Sequence, residues 1–328
     1  MTTIAPGSSE ERAVQEARAD AEHVARIMSA QDPGVSRAEG WRLRGPLLPA
    51  LIFMIVVTQI PFLLTLYYST LSWNLVRPGS RRFVGLQNYV TVVQDSQFWR
   101  VAINTVVLII GVVLISAFFG LLLALLLDRV FLGRGIVRTL LITPFLVTPV
   151  AAALIWKTTI LDATNGILNF VLSPFGVHQV DWISRFPLAS VMVVLIWQWT
   201  PFMMLLILAG LQSMPRDILE AGRVDGAGAL QLFRELTLPH LRRFIELGVV
   251  LGAIYLVNTF DAIYMMTQGG PGIASSNLPF YIYQRAFLGF DMGQAAAMGV
   301  VVVIFTMIIA SFALRLIFKS FTGKEEAA

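Results

Sequence analysis

The length of the apolar runs limits this chain more than any other feature. Pro46–Ser72, Val101–Leu127 and Phe186–Leu211 contain no charged residue, and Ile136–Ile160, Phe244–Thr267 and Met292–Phe318 contain only one or two. A helix rising 1.5 Å per residue needs about 20 residues to cross about 30 Å of hydrocarbon, and every run exceeds that. No water is available at that depth to pair with exposed N–H and C=O groups, so a spanning segment must satisfy its own backbone. The sequence therefore predicts an all-α membrane protein with six transmembrane helices. Its composition agrees: hydrophobic residues make up 56% and charged residues 13%, against about 45–50% and 25% in soluble domains.

Several runs contain proline (Pro61, Pro144, Pro149, Pro201), which a spanning helix tolerates when neighbours satisfy the freed backbone groups. The third run, with Pro144 and Pro149 close together, is expected to bend. Orientation is read from the cations. With both termini inside, seventeen of the 24 Lys and Arg residues fall on inside segments and six outside, with Lys157 near a span end. That asymmetry predicts an N-in, C-in arrangement. The weak point is the first outside loop, which holds Arg77, Arg81, Arg82 and Arg100.

The organisation expected is a cytoplasmic tail over 1–45, a transmembrane domain over 46–320 with an inside loop at 212–242, and a short cytoplasmic tail over 321–328. The first tail has no apolar core of the kind a cleaved signal peptide needs. Ser8 and Glu11 are spaced as a capping box for a helix through Met28, which Asp32-Pro33-Gly34 would end. The chain has no cysteine and a net charge of only +4. This gives no disulfide framework or thiolate chemistry and no case for nucleic-acid binding.

The 212–242 loop is the most informative polar segment. Ser213 is expected to cap a first turn in which Pro215 and Asp217 are well placed. Ile218, Leu219, Ala221 and Val224 give that helix a partly apolar face, and Gly226 and Gly228 end it. A second short helix covers Leu230–Leu236, and Pro239 is expected to break the chain before the fifth span. The result is a compact helix–turn–helix on the membrane's inner surface, with small residues that admit another protein's backbone.

In this loop Glu220-Ala221-Gly222, Asp225-Gly226-Ala227 and Leu238-Pro239 fall in register. The segment resembles the cytoplasmic coupling loop of bacterial ABC import permeases, written E-A-A, D-G-A and L-P. It departs at Gly222, where that family usually has alanine. The resemblance covers nearly the whole chain after the tail. Phe83-Val84-Gly85-Leu86-Gln87-Asn88-Tyr89 looks like the F-x-G-L-x-N-Y of carbohydrate permeases. Thr267 to Gly272, Leu278 and Tyr283 look like the outer loop of the maltose-type larger permease. Ala124–Asp128, Trp197–Phe202 and Gly269–Leu278 resemble the sorbitol/mannitol permeases more than the disaccharide ones, with a disaccharide importer as the alternative.

The resemblance implies a type I ABC importer permease fold and a role in ATP-driven uptake of a polyol or small sugar by alternating access. It also implies the partners: a second homologous permease, an ABC ATPase dimer that carries the ATP and Mg, and an extracytoplasmic solute-binding protein. Glu220, Ala221, Gly222, Asp225, Gly226, Ala227, Leu238 and Pro239 would form the ATPase-coupling element. Gly222 is expected to loosen its helix by up to about 1 kcal/mol.

For the substrate pathway, the fourth run offers Gln198 with Trp199 and, one turn on, Phe202. The fifth places Gly252, Tyr255 and Thr259 on one helical face, beside Asn258 and ahead of Asp261. Amides and carboxylates serve hydroxyls, and aromatic faces serve C–H edges. By resemblance, Trp199, Phe202, Gly252, Tyr255 and Thr259 fall where the maltose-type permease lines its sugar cavity, although most of the residue types differ. The competing reading is structural, with aromatic anchors at the interface and a packing glycine.

Enzyme chemistry finds no support. No G-x-x-x-x-G-K-[ST] loop is present to hold ATP phosphates, and His23, His178 and His240 share no metal-ligand spacing and read as surface residues. No cofactor or metal is expected in this chain. Two other classes stay open: an ion-gradient carrier, with Asp261 as the carboxylate well inside a span, and a non-transporting assembly or sensor subunit.

Overall fold

The computed structural model describes residues 47–322 apart from 78, 80 and 178. The expected tail helix with its Ser8–Glu11 box and its Asp32-Pro33-Gly34 stop lies outside the described residues, as does 323–328. Two compact units divide inside helix α1 (Leu48–Ser69), between Leu63 and Leu64. The described part of the first unit is little more than the leading turns of α1.

After α1, β1 (Leu71–Ser72) pairs antiparallel with β2 (Arg82–Phe83). Helix α2 (Gln87–Gln94) leads into α3 (Ser96–Asp128), capped by Asp95, whose carboxylate accepts from the Gln97 N–H. Then come α4 (Arg134–Leu146), α5 (Pro149–Ile155) extended by a π-turn to Ile160, α6 (Ile167–Leu172), α7 (Trp182–Arg185) and α8 (Pro187–Gln212). The chain closes with α9 (Arg216–Val224), α10 (Ala229–Leu232) with a π-turn over Phe233–Thr237, α11 (Leu238–Val257), α12 (Asp261–Met266), α13 (Leu278–Tyr283) and α14 (Met292–Thr322).

Among the described residues, α1, α3 and α8 are each long and apolar enough to cross a membrane, and α4 with α5 makes a fourth, bent by 99°. That bend is where the two prolines placed it. Pro149 has no N–H to continue the helix and forces the residue before it out of the helical region. Val147 (φ −71°, ψ 134°) and Thr148 (φ −61°, ψ 142°) are accordingly extended.

The fifth run departs from its expectation. It is not one helix: α11 ends at Val257, and α12 starts afresh at Asp261 after Phe260 (φ −127°, ψ −51°). Two amide side chains, Asn258 and Asn277, give the freed carbonyls partners. The Asn258 amide turns back to the Ile254 carbonyl at 3.2 Å, and the Asn277 amide donates to the Thr259 carbonyl. Helix α14 continues through Thr322.

The core forms where α8 lies along α3. Leu108, Val112 and Val113 meet Val191, Val194, Leu195 and Met203, while Ala124 and Leu127 meet Met204, Ile207, Leu208 and Leu241 further along. Gly120 sets the separation of the two helices. A Cβ there would lie 2.7 Å from Met203 Cβ and 2.8 Å from the Met204 backbone nitrogen, and backbone cannot rotate away as a side-chain tip can. Gly120→Ala is therefore expected to cost about 1–3 kcal/mol through overpacking. Thermal unfolding of the detergent-solubilised chain should show a lower midpoint, and an unchanged midpoint would contradict this packing.

Candidate functional site

The 212–242 segment is built by two helix ends. Helix α9 begins after Pro215 (φ −60°, ψ 129°), with Asp217 in its first turn and Arg223 in its last, both favourable to the helix dipole. Its end accounts for the Asp-Gly-Ala sequence. The Ala227 N–H reaches the Gly222 carbonyl at 3.0 Å and the Gly226 N–H the Arg223 carbonyl at 3.1 Å. This is a Schellman closure, with Gly226 in the left-handed position at φ +83°. Gly222 does more than loosen the helix. A Cβ there would meet Leu232 Cδ2 at 2.7 Å and Leu236 Cδ1 at 3.1 Å, so its smallness lets α9 fold close onto the following turns.

Three details of the segment differ from expectation. Ser213 closes α8 rather than capping α9: its hydroxyl donates to the Gly210 carbonyl at 2.9 Å, since α9 starts too far along the chain for it to serve. His240 is a link rather than a surface residue, with Nε2 at 3.1 Å from that same carbonyl and 3.2 Å from Ser213 Oγ. Pro239 does not break the chain. It occupies the first turn of α11 directly after the π-turn, whose wider i→i+5 pairing removes the carbonyl clash a proline normally causes.

Glu220, Ala221, Asp225 and Gly226 are exposed, Gly222 and Ala227 are half-buried, and Leu238 and Pro239 are exposed at the foot of α11. Val224 is 87% exposed, a bare apolar side chain on a polar surface. Helix α9 also borders a cleft of about 600 Å³ lined by Asp128, Arg134, Leu211, Arg216, Glu220 and Arg223.

The expected pathway residues part into two groups. Trp199, Phe202 and Tyr255 come together, with Trp199 5.6 Å from Phe202 and 5.7 Å from Tyr255 between ring centroids. Sequence reasoning missed Phe145, which stacks on Phe202 at 5.6 Å and meets Trp199 edge-on at 5.9 Å. It reaches the group because the chain bends just after it. Tyr255 is 62% exposed, so the cluster has an open flank.

The other residues lie elsewhere. Gly252 is buried, its α-carbon side facing Met203 Cε and Val113. Thr259 lies beyond the end of α11, so the expected common face of Gly252, Tyr255 and Thr259 does not form. Asn258 and Asp261 are exposed at the break and at the first turn of α12.

Gln198 is only 6% exposed, and its amide donates to the Val147 carbonyl at 2.8 Å. That carbonyl is one of those the bend sets free, so Gln198 braces the site where Phe145 is presented. Gln198→Leu would leave it buried without a partner, a loss of about 1–3 kcal/mol. A lowered unfolding midpoint is the expected result, and a midpoint equal to wild type would remove the bracing role.

Together the fold and these features define a multi-pass helical membrane protein with the permease fold of type I ABC importers. The chain matches the model of the binding-protein-dependent transport system inner membrane component over residues 116–322, and it belongs to that family. It is a transport subunit rather than an enzyme. A probable ABC transporter permease of Sinorhizobium fredii is 39% identical over 84% of this chain and 89% of its own. The sulfoquinovosyl glycerol transport system permease of Agrobacterium fabrum is 34% identical over 83% and 88%. The trehalose/maltose transport system permease of Thermococcus litoralis is 33% identical over 77% and 86%. Among solved structures, a chain of a bacterial ABC transporter involved in the import of the acidic polysaccharide alginate superposes with a TM-score of 0.74. It shares 24% identity over 86% of this chain and 96% of its own.

Proposed function

We propose that this chain is the permease half of an ATP-driven importer that moves a polyol or small sugar by alternating access. It would work with a second permease, a separate ATPase dimer that binds ATP and Mg, and an extracytoplasmic binding protein. The observation that carries this reading is the exposed, pre-closed helix α9. It carries the bare apolar Val224, and its acidic Glu220 lines a mixed-charge cleft, a surface shaped to receive another protein. In this reading Glu220, Ala221, Gly222, Asp225, Gly226 and Ala227 dock on the ATPase, and Leu238 and Pro239 lead the resulting motion into α11.

The solute would meet Trp199, Phe202, Tyr255 and Phe145, whose rings offer faces to C–H edges. The sorbitol/mannitol-like segments favour a polyol. A glycoside is the second reading, favoured by the sugars named for the Agrobacterium and Thermococcus relatives.

A mild-detergent pull-down of the tagged chain is expected to recover an ATPase and a second permease. Recovery of the chain alone, across detergents and with crosslinking, would end the importer reading. Gly226→Asp is expected to abolish uptake while leaving assembly largely intact, because it puts a charged side chain into a left-handed turn on the docking surface. Normal uptake by this variant would remove α9 as the coupling element.

A further inference from the structure

At the end of α8 opposite the coupling segment, about 39 Å away at 1.5 Å per residue over its 26 residues, lies a second cavity. It measures about 480 Å³ and is lined by Lys157, Asp162, Asp181, Ser184, Thr267 and Gly270 among others. That volume falls within the range of about 300–1,000 Å³ typical of small-molecule sites.

The walls of this cavity are fixed in advance. Asn169, 6% exposed, sits behind them. Its amide donates to the carbonyls of Asp162, Ala163 and Val180 at 3.0–3.1 Å, and its Oδ1 accepts from Trp182 Nε1 at 2.9 Å. One side chain thus ties the turn that carries Asp162 to the segment that carries Asp181. Each carboxylate is anchored locally as well. Asp162 Oδ1 accepts from the N–H groups of Thr164 and Asn165 at 2.9 and 2.8 Å, and Asp181 Oδ1 accepts from the Ser184 N–H at 3.0 Å. Hydrogen bonds from Ser184 also hold the Asp181 carboxyl below its ordinary range, so it is ionised at neutral pH. Lys157 points one N–H at the Met265 carbonyl, 3.0 Å away.

The chemistry of such a wall is specific. An ammonium donates three hydrogen bonds, an ionised carboxylate only accepts, and a serine hydroxyl does both. Lys157 spends one donor on Met265, the Ser184 hydroxyl already bonds the Asp181 carboxylate, and the backbone N–H bonds to each carboxylate engage Oδ1. Donors and acceptors set side by side suit groups that both give and take hydrogen bonds, which is what sugar and polyol hydroxyls do. Among the described residues no aromatic side chain lines the cavity, so recognition there rests on hydroxyls. Holding the groups in place beforehand lowers the ordering cost of binding.

We infer that this cavity is a second binding site for the polyhydroxylated solute, distinct from the aromatic cluster and positioned by Asn169. The inference rests on the polyol or sugar reading above. It assigns Lys157, Asp162, Asp181 and Ser184 to hydroxyl recognition and leaves ring-face recognition to the aromatic residues.

The chain has no cysteine, so Ala163→Cys or Ile183→Cys each gives it a single thiol at the cavity wall, and either can stand in if the other misfolds. In membrane vesicles holding the assembled transporter without binding protein, labelling by a charged thiosulfonate is timed with and without trehalose or sorbitol. The probe that cells take up through this transporter is expected to slow labelling about fivefold at four times its Kd. Ser173→Cys, on the adjoining surface, is expected to label at one rate throughout. Adding Lys157→Met or Asp181→Asn should abolish the protection.

Equal labelling rates at the cavity for a probe that is taken up overturn the second site and leave the functional reading standing. If neither probe nor any other sugar is taken up in a strain that depends on this transporter, the solute reading fails and the inference fails with it.

Discussion

Wherever this chain leaves a helix among apolar surroundings, the carbonyls it frees must find a donor within the protein, because hydrocarbon supplies none. Much of the second unit is arranged around that need. The bend after α4 hands the Val147 carbonyl to Gln198. The break after α11 hands the Thr259 carbonyl to Asn277, which also caps α13 through the Phe280 N–H. Three carbonyls of the loop over 273–276 lie 3.0–3.3 Å from one amide, that of Asn104 on α3. Amide side chains suit this work because they are neutral. They supply two donors without the desolvation cost of a buried charge.

The same need explains what could and could not be read from the residues. The long apolar runs, the 99° bend between two prolines and the closing turn at Asp225-Gly226-Ala227 are local matters, decided by chain length, missing N–H groups and one left-handed residue. All three are legible in sequence. The break in the fifth run was not, because Asn258 and Thr259 read equally well as polar residues on a continuing helix. Only Asn277, far along the chain, decides that the helix stops there.

Gln198 shows the other side of this problem. An amide in an apolar run reads as a ligand for solute until its partner, a backbone carbonyl 51 residues away, is known. Phe145 was invisible as a site residue for the opposite reason. Nothing in its neighbourhood sets it apart, and its place beside Trp199 and Phe202 comes entirely from the bend that follows it. The aromatic cluster was half legible, since Trp199, Phe202 and Tyr255 carry their chemistry in their names. Asn169 and the cavity it braces gave no periodic or compositional signal at all.

Helix α8 joins these regions without interruption. One end is fastened to α11 through Gly210 and His240, its middle carries Gln198, Trp199 and Phe202, and its other end meets α7, where the Ser190 hydroxyl holds the Trp182 carbonyl at 3.0 Å. Proline at 201 does not divide it. A tilt of about 10° at the Gln212 end of a continuous helix of this length would displace its Pro187 end by about 7 Å, taking 1.5 Å per residue. That stroke is on the order of the width of a single sugar ring.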